Sequence, residues 1–285
     1  MNAALWGSFS ALALGGADFV ARFSSRAIGP ANALFGTLLA GSIILSLWVW
    51  LTKHPMVWDV SGLWLLAING VSTTIMTLLL YTALARGPVS VVAPIVASYP
   101  ALVLMLAVLL GFSPSLAQWA AVALTIIGVL IVAGAATQYE NDRGDRRELI
   151  GTIFLSILSC LFYAALVSSG QAAVPIYGDV QTLWMGRLIS LASISLIIVF
   201  PAERRNLDRA WWPVLGAQGV LDAGGYLFLF AGSAEEDAAI AAVTGSTFGV
   251  VTTLLARFVL KERIALLQWA GIVLVFGGVA WLSAL

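Results

Sequence analysis

The chain has 285 residues, 61% of them hydrophobic and 10% charged, with 14 basic residues balancing 14 acidic ones, and a mean hydropathy of +0.99. Soluble domains are about half apolar and about a quarter charged, so a water-soluble fold is excluded, and the zero net charge provides no field for nucleic acid. The single cysteine, Cys160, excludes an internal disulfide, a redox pair and a four-cysteine metal site.

A bilayer core of about 30 Å requires about 20 apolar residues as helix, since backbone polar groups cannot stay unpaired in hydrocarbon. The first such segment runs from Ala3 to Ala21; no Lys or Arg precedes it, so it reads as an uncleaved span and not a secretion signal. The next four are Ala31 to Leu51, Ser61 to Leu84, Val89 to Leu110 and Leu116 to Ala136. A polar stretch, Gln138 to Glu148, follows and reads as a linker. Five more spans complete the chain: Leu149 to Ser169, Val180 to Phe200, Trp211 to Ser233, Ala238 to Leu260 and Ala265 to Ala284. Gly29-Pro30, Gly87-Pro88, Ser113-Pro114 and Pro201 punctuate the short connections. The expected fold class is therefore an all-α membrane protein with ten transmembrane helices.

One stretch occurs twice. Leu116, Gln118, Trp119, Ala120, Leu124, Gly128 and Val129 return 150 positions later as Leu266, Gln268, Trp269, Ala270, Leu274, Gly278 and Val279. An odd-numbered helical unit repeated once sits in the bilayer in opposite orientations, the arrangement of transporters whose site lies between inverted halves around a central cavity. The expected division is 1–137, a linker at 138–148, and 149–285. Basic residues support the inversion. The loops after spans 1, 3, 5, 7 and 9 carry Arg22, Arg26, Arg86, Arg143, Arg146, Arg147, Arg204, Arg205, Arg209, Lys261 and Arg263, whereas the alternate loops carry Lys53 alone. Basic short loops stay in the cytoplasm, which places both termini outside a bacterial inner membrane.

Helix breaks at matched places in the two halves point to a transport site. In the fourth span Pro94 and Pro100 flank Ser98 and Tyr99, and the repeat register sets Thr244, Gly245, Ser246 and Gly249 in the corresponding part of the ninth. These residues either line a cavity or, being small, permit close helix packing. Tyr81, Tyr99, Tyr163, Trp184 and Tyr226 offer aromatic bodies with polar tips, suited to a small amphipathic solute or to packing. Trp48, Trp50, Trp58, Trp211, Trp212 and Trp281 fall near span ends, as an interfacial belt does.

Ionisable groups at membrane depth are functional candidates by default. Asp222 lies about 16 Å along its helix, near the midplane, and either binds a proton, attracts a substrate amine, or ties helices together. Arg187 either holds a substrate carboxylate through its planar fork or snorkels to the outer interface. Asp18 is expected to pair with Arg22 one turn away, near the cytoplasmic edge. Glu235, Glu236 and Asp237 are expected to cap the ninth span from outer water.

These residues resemble the EamA-type ten-helix branch of the drug/metabolite transporter superfamily. Gly16-Ala17-Asp18-Phe19-Val20-Ala21 is similar to a first-helix pattern of Trp-Gly, small, Asn, Phe, Val, Ala, with Gly15 in place of the Trp and Asp18 in place of the Asn. Tyr81-Thr82-Ala83-Leu84 with Gly87-Pro88-Val89-Ser90 resembles the junction of spans 3 and 4. Leu260-Lys261-Glu262-Arg263 with Gln268-Trp269-Ala270-Gly271 resembles the end of the second repeat, and Arg187 falls where the family often carries an Arg. In the first repeat Gly111-Phe112-Ser113 departs from that ending. The resemblance implies export of amino acids or other small metabolites.

Other function classes fit less well. The one histidine, His54, lies in a loop, and the sequence shows neither a Ser/His pair nor carboxylates with metal spacing, which argues against an enzyme, a metal site or a cofactor. No repeated filter loop supports a channel. The expectation is an alternating-access exporter of amphipathic metabolites, amino acids first, with facilitated (uniport) movement because one deep acid stands without an evident partner. A proton-coupled exporter of drugs or nucleotide-type metabolites, and a structural or sensory membrane protein, are the alternatives. The expected partners are a small-molecule substrate and membrane lipid, with the chain a monomer or weak homo-oligomer.

Overall fold

Residues 3–141, 146–199, 208–234 and 238–285 are described by the structure, a computed structural model. Glu235, Glu236 and Asp237, and likewise Arg143, Arg204 and Arg205, lie outside the described residues. Among the described residues every regular element is helical: α1 (Ala3–Ile28), α2 (Pro30–Thr52), α3 (Leu63–Arg86), α4 (Val89–Ala97), α5 (Tyr99–Leu109), α6 (Leu116–Asn141), α7 (Arg146–Val199), α8 (Trp212–Ser233), α9 (Ala238–Ser246), α10 (Phe248–Phe258) and α11 (Leu266–Ser283), with a 3₁₀ turn at Arg209–Trp211. Among the described residues, eight helical stretches are long and apolar enough to cross a membrane, and Leu266–Leu282 is a shorter apolar one.

Two helices run on past their expected ends. α1 reaches Ile28, not Ala21, and stops only where Gly29 adopts φ 85° before Pro30, the first residue of α2. α7 carries helix through 170–177, where a loop was expected, to Gly178 at φ 76°, ψ 168°. Its polar Gln171 stays helical because its amide donates to Ser233 Oγ of α8 at 3.4 Å. At 54 residues and about 1.5 Å per residue, α7 is far too long for one crossing, and Gly178 divides it as Gly29 divides α1 from α2.

The matched breaks fall at Ser98, between α4 and α5, and at Thr247, between α9 and α10. Ser98 Oγ donates to Ile95 O at 2.7 Å and Thr247 Oγ1 donates to Thr244 O at 2.6 Å, so each hydroxyl takes up a carbonyl freed at the break. Pro94, expected to break the fourth span, lies inside α4 without ending it. Having no N–H, it leaves Ser90 O unpaired four residues earlier, and Gln268 Nε2 of α11 reaches that carbonyl at 3.3 Å. The repeat-mate Gln118 is otherwise engaged: its Oε1 accepts from Ser115 N at 2.9 Å and its own N–H donates to Ser115 Oγ at 3.2 Å, a capping box at the start of α6. Ala265 replaces that serine at α11, which frees Gln268 for Ser90.

The duplicated glycines form a tight seam between α6 and α11. A Cβ on Gly128 would stand 2.8 Å from Gly271 O, and one on Gly278 would stand 2.9 Å from Ala121 O. Residues 121 and 271 are themselves repeat-mates, so the contact is reciprocal. It also fixes direction: along α6 from 121 to 128 the facing residue on α11 falls from 278 to 271, so equivalent helices run antiparallel. The broken spans α4–α5 and α9–α10 repeat the relation, with Gly249 of α10 against Ala93 of α4 and Tyr99 of α5 bonded to Ala242 of α9. The halves are inverted copies, and the principal core, with Tyr81, Tyr99, Phe230 and Phe248 fully buried, lies between them.

Candidate functional site between the two halves

Helix α8 presents Gln218, Asp222 and Tyr226 at successive i, i+4 positions, which places all three on one face. Arg187, on α7 beyond Gly178, donates from Nη1 to Asp222 Oδ2 at 2.7 Å, with side-chain exposures of 2% and 14%. A second guanidinium nitrogen points to Thr37 O of α2 at 3.5 Å. Gly41 permits this approach, since its Cβ would collide with the guanidinium. Arg187 Nε has no hydrogen-bond partner. Asp222 thus has the partner it was expected to lack, and Arg187 neither snorkels nor stands apart from it. A buried pair of this kind contributes little net stability, yet losing either member strands the other charge.

One turn away, Ser24 Oγ of α1 donates to Gln218 Oε1 at 2.9 Å, and Gln218 Nε2 donates to the Tyr81 hydroxyl of α3 at 2.7 Å. Sequence reasoning passed over Gln218; its spacing from Asp222 was the available signal. Tyr163 of α7 stacks at 4.3 Å on Tyr99, and lies 5.6 Å from Phe248 and 6.2 Å from Tyr226. Tyr226 and Arg187 border a void of about 10 Å³ with Asn69 and Thr73, room for one water and far below a solute pocket. Arg187 is therefore shut in, while Asp222 keeps 14% of its side chain accessible.

Other expected site residues are committed to structure. The Tyr99 hydroxyl donates to Ala242 O at 2.6 Å, which ties α5 to α9. Ser98 faces an apolar side groove of about 230 Å³ together with Cys160. Thr244 Oγ1 and Ser246 Oγ donate within α9, to Ile240 O and Val243 O, both at 2.7 Å. Trp184 Nε1 donates to Ser46 Oγ of α2 at 2.9 Å. Pro100 is in the first turn of α5, Gly245 sits beside Leu229, and Gly249 crosses α4.

At the basic end of the bundle the halves are clamped. Glu262 accepts from Val89 N and Ser90 N, both at 3.0 Å, so it caps α4 from the opposite half, and lies 3.8 Å from Arg22. Arg22 and Arg26 donate to Leu84 O and Ala85 O at 3.2 and 2.7 Å, carbonyls left over at the end of α3. Arg22 is thus drawn away from Asp18, and the expected one-turn ion pair is not formed. Arg22, Arg86, Glu148 and Glu262 border a cavity of about 290 Å³ here. Glu262→Ala should lower unfolding stability by about 1–2 kcal/mol through loss of the cap, and Glu262→Gln by less; thermal unfolding in detergent measures both.

The profile of the EamA-like transporter family matches residues 1–134 and again 150–284. The chain belongs to that family. An uncharacterized transporter from Synechocystis is 25% identical over 240 residues, covering 81% of this chain and 68% of that one. A solved crystal structure covers 98% of this chain and 97% of its own, with a TM-score of 0.70 at 16% identity, a likeness of fold. The protein is accordingly a multi-pass membrane transporter of the EamA type, and its two family segments are the two inverted copies.

Proposed function

We propose that this transporter exports small amphipathic metabolites, amino acids first among them, by alternating access. The observation that carries the reading is the Arg187–Asp222 ion pair, enclosed between inverted halves with one edge of the guanidinium unpartnered. A cargo carboxylate has that Nε edge to meet, while Tyr163, Tyr226 and Phe230 supply an apolar wall. Rocking of one half against the other about the α6–α11 seam then exposes the pair to each side in turn. Movement is uniport: the ion pair meets a neutral zwitterion without needing a second ion.

The division is 1–137, 138–148 and 149–285, the chain works as a monomer or weak homo-oligomer, and it resides in a bacterial inner membrane with both termini outside. Vesicles reconstituted with the protein and preloaded with one zwitterionic amino acid should show transient accumulation of its labelled form, with other amino acids competing. No counterflow for any amino acid would redirect the reading to nucleotide-type or drug substrates. A reporter fused after Leu285 should be active only outside the cytoplasm; activity inside would reverse the orientation.

A further inference from the structure

A cavity of about 260 Å³ lies toward the end of the bundle away from Arg22 and Glu262. The span Val89–Leu109 begins at the clamp, where Glu262 caps Val89 and Ser90, so Phe112, just past its far end, belongs to the opposite face. Phe112 and Leu282 line the cavity with Gln118 and Gln171, while Pro100 of the first half and Ala242 of the second line it more deeply. Pro100 stands nine residues, about 14 Å, before the end of α5. At that depth the wholly buried Tyr99 donates its hydroxyl to Ala242 O at 2.6 Å, a bond between the halves at their matched breaks. The Tyr99 ring stacks 4.3 Å from Tyr163, Tyr163 lies 6.2 Å from Tyr226, and Tyr226 borders the one-water void beside Arg187. A chain of three rings thus links the inner end of the cavity to the guanidinium.

We propose that this cavity is a second cargo site, a vestibule for net-neutral solutes with an apolar body, and that Tyr99 is the gate between it and the ion pair. The proposal rests on the transporter reading above and adds a place for cargo outside the central site. The volume approaches the roughly 300 Å³ at which small-molecule pockets begin. The carboxamides of Gln118 and Gln171 suit a polar head, and Val103 and Leu282 suit an apolar body. Among the described residues no ionisable side chain lines the cavity, so a solute with a net charge finds no counter-ion to offset its desolvation. The gate sits where helix is already interrupted, at Ser98 and Thr247. Parting the halves there breaks the Tyr99–Ala242 hydrogen bond and no continuous helix.

The test uses the full-length protein in lipid nanodiscs, in a Cys160→Ser background, with a small water-soluble methanethiosulfonate as probe. Ala107→Cys reports from the vestibule, and Thr73→Cys from the void beside Arg187. Ala107→Cys should react at least about a hundredfold faster than Thr73→Cys, which reacts only on opening. Adding Tyr99→Phe, which removes the hydroxyl and keeps the ring, should speed Thr73→Cys by about tenfold, the effect of one lost hydrogen bond. Ala107→Cys should keep its rate in that variant, which also shows the fold to be intact. Saturating leucine should slow Ala107→Cys at least about threefold by occupancy, and its singly charged analogues, isoamylamine and 4-methylpentanoate, should slow it less. An unreactive Ala107→Cys, no protection by leucine, or equal protection by the charged analogues overturns the vestibule. A Thr73→Cys rate that Tyr99→Phe leaves unchanged, or that rises only in step with Ala107→Cys, overturns the gate. Protection by leucine with no counterflow of any amino acid would leave the vestibule standing and remove the amino-acid reading.

Discussion

Arg187→Ala is expected to reduce uptake at least about a hundredfold and to destabilise the fold by about 3–5 kcal/mol, the cost of stranding a buried charge. Asp222 would be left in the membrane interior without its 2.7 Å partner, with water or a proton the only substitutes. Arg187→Lys should recover part of the stability, since an ammonium still meets the acid, but little of the uptake, because it loses the planar fork and the free Nε–H. Removing both charges should be less damaging to stability than removing one. In a double-mutant cycle, Arg187→Ala with Asp222→Ala should give a coupling of about 1–3 kcal/mol. Additive stabilities would mean that the two side chains do not depend on each other.

Gly128→Leu and Gly278→Leu are expected to be about equally harmful, each by more than the roughly 1–3 kcal/mol of ordinary overpacking. In both cases the new side chain meets backbone, at Gly271 and Val275 in one and at Ala121 and Thr125 in the other, and backbone cannot rotate aside. α6 and α11 would have to separate, and the seam about which the halves rock would be lost. Gly134→Leu and Gly277→Leu lie on the same helices where a Cβ meets nothing within 4 Å, and should leave stability close to wild type. Monodispersity and thermal unfolding of the four variants would separate these outcomes; unequal effects at 128 and 278 would contradict the reciprocal packing.

Much of this arrangement was readable from residues alone. The pair Gly128 and Gly278 announced the duplication and then proved to be its point of contact. The matched breaks were expected within a few residues of Ser98 and Thr247, because Pro100 and Gly249 mark where helix cannot continue unchanged. Helix ends were less legible, for a physical reason. Arg22 and Arg26 read as loop residues by charge, yet they remain helical because carbonyls at the end of α3 need donors. Gln171 likewise reads as loop and is held in helix by α8.

Pairings across helices were beyond the reach of spacing. Arg187 and Asp222 are 35 positions apart on different helices, and only the folded bundle joins them. The same holds for Ser24 with Gln218, and for Glu262, whose partners lie 172 and 173 positions away on α4. Misplacing the end of α1 by seven residues put Asp18 near a helix end, whereas it stands ten residues before Ile28.

The account depends on the halves moving past each other around an enclosed pair, and the clamp between Arg22 and Glu262 allows that to be tested directly. In a Cys160→Ser background, Arg22→Cys and Glu262→Cys would be bridged by a short reversible thiol reagent and solute counterflow measured before and after reduction. Counterflow should be abolished while the bridge holds and return when it is reduced. Counterflow that continues undiminished across the bridged protein would contradict alternating access through this site.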